Sequence, residues 1–324
     1  MDFDAAYREA VDRVFRERLP GFPEAAEFCL GEGKRLRPKL LLDAASAWGA
    51  DPKEAVNAAV GVELLHHYLL VHDDLMDGDD LRRGKPTVHA AAIAKHGERM
   101  GRGIAIAIGD LIANEAFGMF ANTTGRSDVD ANLVRAAIDV NRETILGQMW
   151  EYVPDATWAI GDLERFYEFK TAAYSIRLPW LLADILAGSD PDRRTAIDAA
   201  SRDLGVAYQF HDDLIEFRGE KPRDASGTAG DTARGKVTVV TRLLLDAMTD
   251  AERLSLQEEW KRGIPLFAAR LAVISESARV HGIPEKVQEM IDRRVEAAHE
   301  PLTILGLEKT PTVSVLLDLL AGRV

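Results

Sequence analysis

The chain has 324 residues, 47% of them hydrophobic, which is enough for one large domain or two ordinary ones with a sizeable core. Its net charge of −13 argues against a nucleic-acid surface, because binding to phosphates requires clustered Lys and Arg. The single cysteine, Cys29, excludes an intrachain disulfide, and the charged N-terminus lacks the apolar core of a signal peptide. No uninterrupted apolar run reaches the ~18–20 residues that cross a bilayer, so we expect a cytoplasmic protein without an integral membrane segment.

Helical periodicity dominates the chain, and runs of alternating β-branched residues are scarce. The segment from Gly103 to Phe120 is apolar almost all round, which predicts a central helix of a bundle. The longest irregular stretch runs from Gly219 to Lys236, and no Pro- or Ser-rich linker divides the chain. We expect a single all-α domain over residues 1–324. Its helices are predicted at 3–17, 34–48, 57–77, 103–120, 129–150, 161–187, 191–217, 236–247, 250–262, 266–281, 285–299 and 311–322.

A basic segment, GKRLRP from Gly33 to Pro38, stands at the predicted start of the second helix. Lys34 and Arg37 are three residues apart and share one side of that helix start. A helix N-terminus favours anions, lysine supplies a point charge, and arginine supplies a fork that matches phosphate. The segment therefore predicts a phosphate site, although an ordinary charged first turn fits the same residues.

Three aspartates, Asp73, Asp74 and Asp77, end the next helix, and two arginines, Arg82 and Arg83, follow them. Asp73 and Asp77 are four residues apart, so they lie on one helix face about 5–6 Å apart at Cβ. Carboxylates this close repel one another unless a cation compensates. Mg²⁺ takes a few carboxylates and keeps waters and substrate phosphates in its shell. The pattern predicts a metal site, and the alternative is a helix that simply ends in an acidic loop.

A second acidic cluster repeats this spacing much later in the chain. Asp212, Asp213 and Glu216 follow Gln209 on an amphipathic helix. Two helix ends of this kind, facing each other, predict a clamp that holds a diphosphate through bridging Mg²⁺ ions.

Six motifs in this order resemble those of the trans-isoprenyl diphosphate synthases, the polyprenyl synthetase family. They run from about residue 31 to 240 and read GKRLRP, ELLHHYLLVHDDLMDGDDLRRGKPTVH, AIGDLIANEAF, FKTAAYS, GVAYQFHDDLIE and GKVT. The resemblance points to the short-chain members, which make farnesyl or geranylgeranyl diphosphate. It implies an all-α bundle around a deep central cavity, usually a homodimer, that condenses isopentenyl diphosphate with an allylic diphosphate.

The resemblance also assigns roles to residues. It implies three Mg²⁺ ions that bridge the allylic diphosphate to Asp73, Asp74, Asp77, Asp212, Asp213 and Glu216. Contacts to the allylic diphosphate fall to Arg82, Lys170 and Lys236, with Thr171 and Gln209 beside them. The pocket for isopentenyl diphosphate falls to Lys34, Arg37, His66 and Arg83. The groups expected to take part in catalysis are Asp73, Asp74, Asp77, Lys170, Gln209, Asp212 and Lys236.

Product length is expected to depend on the residues that close the cavity below the first acidic motif. Tyr68 and Leu69 lie about one helical turn deeper than Asp73, and Leu65 lies deeper again. In the resembled family an aromatic residue here accompanies products of C15 to C20. Tyr68 is expected to form the floor, and a C20 product is favoured because Tyr68 is the one bulky residue of the pair.

Several residues depart from the family's pattern. Glu216 stands where aspartate is usual, residues 226–228 stand where a lysine is common, and Glu151 replaces a frequent aspartate. Arg177 follows Lys170 by seven residues, which predicts the same helix face. A guanidinium there lies either in the cavity or in a salt bridge with a nearby carboxylate, and the salt bridge is the favoured interpretation.

Two other functions share parts of this pattern. A class I terpene cyclase needs the metal clusters but no isopentenyl diphosphate site, so the basic residues at positions 34, 37, 66 and 83 count against it. A non-catalytic subunit that modulates an active synthase is compatible with Glu216 and with residues 226–228. That alternative is opposed by the intact Asp73, Asp74, Asp77 and Lys170.

Overall fold

Helices make up nearly all the regular structure of this protein, as its computed structural model shows, and this confirms the all-α prediction. The structure describes residues 2–17, 21–31, 33–152, 158–219, 232, 235–261, 266 and 268–323. Within these residues, the strands are limited to a short antiparallel hairpin in which β1 (Leu81–Arg82) pairs with β2 (Lys85–Pro86).

The helices follow the predicted order, with ends displaced by a few residues. The first group is α1 (Phe3–Val11), the π-helix π1 (Asp12–Glu17), α2 (Pro23–Cys29), α3 (Leu36–Ala47), α4 (Pro52–Asp77), α5 (Val88–His96), α6 (Glu98–Phe120) and α7 (Ser127–Glu151). The second group is α8 (Ile160–Tyr167), the π-helix π2 (Glu168–Arg177), α9 (Leu178–Leu186), α10 (Pro191–Phe217), α11 (Val239–Ala247), α12 (Asp250–Lys261), α13 (Ala268–Val280), α14 (Ile283–Leu305) and α15 (Pro311–Leu320). The short helices α2 and α5 were not predicted. Most of the stretch from Gly219 to Lys236, including residues 226–228, and residue 262 lie outside the described residues.

The contacts between residues divide the chain into two compact units. Unit 1 comprises Met1–Asn141, Tyr174–Asp198 and Thr303–Ser314, and unit 2 comprises Arg142–Ala173, Ala199–Leu302 and Val315–Val324. Each boundary falls inside a helix rather than in a linker. That the chain forms one domain stays a prediction.

Helix α4 is the centre of unit 1 and packs against α1, α3, α6 and α9. Its N-cap is Asp51, whose carboxylate accepts hydrogen bonds from the backbone N–H groups of Lys53 (2.8 Å) and Glu54 (3.1 Å). Between Ala55 and Tyr68 almost every side chain is buried. This burial makes α4 a core helix of unit 1.

Helix α6 is buried on one face only, which corrects the prediction that it is central. It packs against α4 and α5 through buried residues such as Ala105 and Ile112, whereas Ile106 on the opposite face is 49% exposed. Small side chains such as Ala107 share that exposed face, so an apolar sequence all round does not require burial all round. By length and composition α6 meets the criteria for a membrane span, and a third of its most apolar window is buried.

In unit 2 the core is built from α8, α10 and α11. Leu163, Phe210 and Leu244 are fully buried there. The π-helix π2 lies so close to α7 that a Cβ atom at Gly147 would stand 2.5 Å from the backbone nitrogen of Lys170. Only glycine permits this approach, which fixes the segment that carries Lys170.

Candidate active site

The end of α4 presents two of its three aspartates together and turns the third inward. One carboxylate oxygen of Asp73 and one of Asp77 lie within 4.8 Å of each other, and both side chains are half-buried. Asp74 is 1% exposed, and its Oδ1 accepts hydrogen bonds from Arg82. Gly78 ends the helix in the left-handed conformation that the chain reversal requires. Asp73 and Asp77 therefore present oxygens that can bind a cation. Asp74 is held by Arg82 through Oδ1, and its buried Oδ2 has no hydrogen-bond partner within the described residues.

Arg82 reaches Asp74 from the β1–β2 hairpin. Its Nε and Nη2 lie 2.7 and 2.6 Å from the same Oδ1 atom, and Nη2 lies 3.7 Å from Asp73 Oδ2. The hairpin is closed by a hydrogen bond from the backbone nitrogen of Thr87 to the carbonyl of Asp80, at 3.0 Å. Burial raises the pKa of Asp74 to about 6, and the pairing with Arg82 opposes that rise. The pair holds the guanidinium beside the two metal-facing aspartates.

A second polar pocket of unit 1 is centred on Arg37. Its Nη1 donates to His66 Nε2 at 3.2 Å, and its Nη2 donates to the hydroxyls of Tyr174 and Ser175, both at 2.8 Å. The Tyr174 ring stacks under the guanidinium, 4.5 Å from its centroid, and also lies against His66. Arg37 is thus fixed in orientation by three side chains.

Two buried nitrogens in this pocket have no hydrogen-bond partner within the described residues. They are Nε of Arg37 and Nδ1 of His66. Because Nε2 of His66 accepts from Arg37, the ring proton is assigned to Nδ1. Burial, and then the charges of Arg37 and His67, lower the pKa of His66 well below its usual value, which keeps the ring neutral. Buried donors without partners are rare and indicate a site for an acceptor such as a phosphate oxygen.

Further positive charge surrounds this pocket. A Cβ atom at Gly33 would lie 3.0 Å from the guanidinium of Arg83, so Arg83 rests against the segment that carries Lys34. Lys34 and Arg83 are both exposed. Partial burial, and then the charges of Arg82 and Arg35, lower the pKa of Arg83. Such a concentration of cations in a chain of net charge −13 indicates an anion site.

Unit 2 holds two lysines on one carboxylate. Glu151, at the end of α7, forms ion pairs with Lys170 of π2 and with Lys236, the latter at 3.1 Å. All three side chains are at most 22% exposed. Glu151 therefore brings together the two lysines that the family resemblance assigned to the allylic diphosphate.

The second acidic motif is anchored in the same way as the first. Asp213 is 5% exposed, and its two oxygens accept from the Tyr167 hydroxyl (2.6 Å) and from Gln209 Nε2 (2.9 Å). Gln209 in turn accepts from the Thr171 hydroxyl at 2.7 Å. This geometry favours an anchoring role for Asp213 over metal ligation. The other two carboxylates of this motif, Asp212 and Glu216, are both half-buried and lie four residues apart.

The donor set fits a hard divalent cation. Mg²⁺ binds oxygen ligands at about 2.0–2.1 Å and keeps several waters. Asp73 and Asp77, whose oxygens lie within 4.8 Å of each other, would hold such an ion. The described residues therefore contain an acidic cluster able to hold Mg²⁺.

Tyr68 lies buried on α4, five residues before Asp73. It is 8% exposed and its ring packs edge-on against His72, with the centroids 5.1 Å apart. Burial raises the pKa of Tyr68, and a hydrogen bond with Asn141 of α7 opposes that rise. Leu65 is fully buried and Leu69 is partly exposed. The predicted floor residue is thus held in place from two sides.

Sequence reasoning missed four residues that shape these sites. Tyr174 and Ser175 orient Arg37, and Tyr167 orients Asp213. Glu151 was noted only as a departure from the family pattern. Tyr174 and Ser175 could have been found from their place in the FKTAAYS motif, whereas no sequence motif pointed to Tyr167.

Arg177 was expected on the face of Lys170 because seven residues make two turns of an α-helix. Both residues belong to π2, a π-helix with more residues per turn than an α-helix. A spacing of seven residues therefore does not place them on the same face. Arg177 is half-buried, and its predicted salt bridge to a carboxylate stays a prediction.

The comparison with known families decides which enzymes these features belong to. A model described as polyprenyl synthetase matches residues 22–263. The chain belongs to the polyprenyl synthetase family. This confirms the resemblance found in the motifs.

Relatives of this chain include a short chain isoprenyl diphosphate synthase and a farnesyl diphosphate synthase. A short chain isoprenyl diphosphate synthase of Methanothermobacter thermautotrophicus is 28% identical over 94% of this chain and 92% of its own length. A farnesyl diphosphate synthase of Geobacillus stearothermophilus is 30% identical over 85% of this chain and 95% of its own length.

Solved structures show the same fold over the full chain. A geranylgeranyl pyrophosphate synthase from Corynebacterium glutamicum, complexed with isoprenyl diphosphate and magnesium, is 26% identical with a TM-score of 0.83, covering 100% of both chains. A decaprenyl diphosphate synthase from Rhodobacter capsulatus has a TM-score of 0.78 at 23% identity, covering 99% of this chain and 94% of its own. That second likeness concerns the fold alone, and since its name denotes a long product, the fold does not determine product length.

Proposed function

We propose that this polyprenyl synthetase condenses isopentenyl diphosphate head-to-tail with an allylic diphosphate and makes a short all-trans prenyl diphosphate. The observation that carries the proposal is the pocket around Arg37 and His66, which has buried donors without partners. A reaction between two diphosphates needs an anion site separate from the metal-binding carboxylates, and a terpene cyclase does not. Names of relatives that include farnesyl and geranylgeranyl diphosphate synthases support the same reaction.

In the proposal, isopentenyl diphosphate binds to the Arg37 pocket. Arg37 and His66 supply N–H donors from fixed positions, and Lys34 and Arg83 supply exposed positive charge. A neutral His66 donates through Nδ1 without adding charge. Because the ammonium and guanidinium groups hold the diphosphate end, the double bond of the substrate is kept in one register.

The allylic diphosphate is assigned to Arg82, Lys170 and Lys236, with Thr171 and Gln209 beside it. We propose three Mg²⁺ ions, held by Asp73, Asp77, Asp212 and Glu216, while Asp74 and Asp213 act as anchors for Arg82 and Gln209. Bound Mg²⁺ neutralises the diphosphate and so favours cleavage of the allylic C–O bond. Lys170, Lys236 and Arg82 stabilise the charge that develops on the leaving diphosphate.

The bond changes balance without a protein base. The allylic C–O bond breaks, the isopentenyl double bond attacks the resulting carbocation, and a new C–C bond forms. A proton then leaves the isopentenyl unit for the released diphosphate. This explains why no Ser-His-Asp arrangement is needed. The proposal also includes the apolar cavity that the family resemblance implies, which would keep water from the cation.

Product length is proposed to be C15 to C20, with C20 favoured. Tyr68 is buried and fixed by contacts on two sides, which suits a residue that limits the chain. Farnesyl and geranylgeranyl synthases are both among the relatives.

We further propose that the enzyme acts in the cytoplasm as a homodimer. Support comes from the exposed apolar face of α6, where Ile106 is 49% exposed, and from Ile138 of α7, which is 42% exposed. Light scattering of the purified protein measures its molar mass and therefore its oligomeric state. A mass of one chain at micromolar concentration contradicts the dimer.

The reaction is tested by incubating the purified protein with Mg²⁺, isopentenyl diphosphate and one of three primers, the dimethylallyl, geranyl or farnesyl diphosphate. Products are dephosphorylated and separated by chain length. All primers that are accepted should converge on one final product of C15 to C20, and no elongation with any primer contradicts the proposal. Arg37→Gln should raise the KM for isopentenyl diphosphate, whereas the exposed Arg279→Gln should not.

A further inference from the structure

Arg35 has a backbone conformation that L-residues rarely adopt. Its φ is 50° and its ψ is 40°, the left-handed region, and it directly precedes the first residue of α3. In any residue with a Cβ atom this conformation costs free energy and persists only where surrounding contacts hold it. Arg35 stands between Lys34 and Arg37, which the proposed function assigns to isopentenyl diphosphate.

The contacts that hold Arg35 come from the interior of unit 1. Its Nη1 donates to Glu63 Oε1 at 2.5 Å, and its Nη2 donates to the carbonyl of Gly31 at 3.0 Å. The guanidinium also lies over the ring of Tyr7, 4.9 Å from the centroid. The Arg35 side chain thus points into the protein, unlike that of Lys34.

Glu63 is the partner that makes this arrangement specific. It is 3% exposed and lies on α4, three residues before His66. A carboxylate so deeply buried requires a cationic partner. Its backbone carbonyl accepts from His67 Nδ1 at 2.8 Å, and the Tyr7 hydroxyl donates to the carbonyl of Cys29 at 3.1 Å. The Arg35–Glu63 ion pair therefore lies beside Tyr7 and His67, whose own side chains are held by hydrogen bonds.

We propose that Glu63 and Arg35 are positioning residues for isopentenyl diphosphate. Their ion pair fixes the left-handed turn before α3, and the turn sets where Lys34 and Arg37 stand. Glu63 thereby links the turn to α4, the helix that carries His66. The ion pair thus fixes the position of Lys34 and Arg37 relative to His66. This inference rests on the proposed function, and neither residue touches substrate in it.

Two double variants that differ by one methyl group test the inference. Arg35→Gly with Glu63→Gln removes the ion pair, and glycine adopts the left-handed turn without cost. Arg35→Ala with Glu63→Gln removes the same pair but keeps the Cβ atom. The KM for isopentenyl diphosphate should rise about tenfold more in the alanine variant than in the glycine variant. The KM for the allylic substrate should be the same in both.

The alternatives give different results. If Arg35 bound the diphosphate directly, both double variants would lose affinity equally, and equal losses overturn the inference. Equal retention of affinity overturns it too, because the turn would then need no holding. If the alanine variant does not fold, Glu63→Gln alone should raise the KM for isopentenyl diphosphate several-fold and leave that for the allylic substrate unchanged; no change overturns the inference. Wild-type protein without elongation activity would instead refute the proposed function.

Discussion

Arg82 directs two of its nitrogens, Nε and Nη2, at the same buried oxygen of Asp74, at 2.7 and 2.6 Å. The relationship separates the second aspartate of the motif from its neighbours Asp73 and Asp77, whose oxygens lie together. Asp74 is therefore expected to act through Arg82.

Substituting these aspartates should affect different steps. Asp74→Asn should lower kcat/KM for the allylic substrate about 10–100-fold, because a charged hydrogen-bonded partner of Arg82 is lost. The Mg²⁺ concentration for half-maximal activity should stay nearly unchanged. Asp73→Asn should raise that Mg²⁺ concentration strongly. Initial rates over a Mg²⁺ series check both, and an equal Mg²⁺ shift in the two variants would show that Asp74 binds the metal.

Tyr68 should limit product length through its bulk. Tyr68→Ala should give longer products, because the side chain that closes the cavity is removed. Tyr68→Phe is the matched control: it loses the hydrogen bond with Asn141 but keeps the ring, so its product should match the wild type. Chromatography of dephosphorylated products distinguishes the cases. Unchanged length in the alanine variant would exclude Tyr68 as the floor.

His67 should make stability depend on pH. Burial lowers its pKa from 6.5 to about 4 in the folded state. Between these values the unfolded chain binds a proton that the folded protein does not, so stability falls as pH falls from 6.5 towards 4, by up to ~3 kcal/mol. His67→Asn keeps a donor to the Glu63 carbonyl but does not titrate. Its unfolding free energy should therefore decline less steeply over this range.

The comparison uses denaturant unfolding of both proteins at pH 7 and pH 4.5. Asp74 titrates in the opposite sense, since its raised pKa favours the protonated folded state, but it is present in both proteins and cancels in the difference. Identical pH slopes for the two proteins would contradict the assignment to His67.

Glu151 should matter most in the absence of substrate. Glu151→Gln leaves Lys170 and Lys236 without their shared carboxylate, which should cost about 1–3 kcal/mol of stability. Inorganic diphosphate with Mg²⁺ should restore more stability in this variant than in the wild type, because the anion replaces the lost charge. Thermal unfolding with and without the ligand measures this.

A surface pair supplies the control for that experiment. Glu289→Gln breaks an exposed ion pair with Arg293 and should change neither stability nor the ligand effect. A smaller ligand effect in Glu151→Gln than in the wild type would indicate that Glu151 helps to bind the metal.

Much of the site could be predicted because several of its functional residues lie close together in the sequence. Asp73 and Asp77 are four residues apart on a helix, and helical geometry alone brings them together. The same holds for Asp212 and Glu216. The all-α class followed from periodicity and composition in the same way.

Other features depend on tertiary contacts that local spacing does not encode. The inward turn of Asp74 requires Arg82 from the hairpin, and the left-handed turn of Arg35 requires Glu63. The π-helix π2 has no sequence signature, so Arg177 was placed with α-helical geometry. The prediction that α6 is central was wrong, because an apolar sequence does not show which face of the helix packs against a neighbour.

The most direct test of the central claim counts diphosphate released against isopentenyl diphosphate consumed. Purified protein is given Mg²⁺ and geranyl diphosphate, with and without isopentenyl diphosphate. Head-to-tail condensation predicts one diphosphate released for each isopentenyl unit incorporated, and no sustained release when isopentenyl diphosphate is omitted. Steady release without it would indicate a cyclase, and no release under either condition would indicate a non-catalytic subunit; either result contradicts the account.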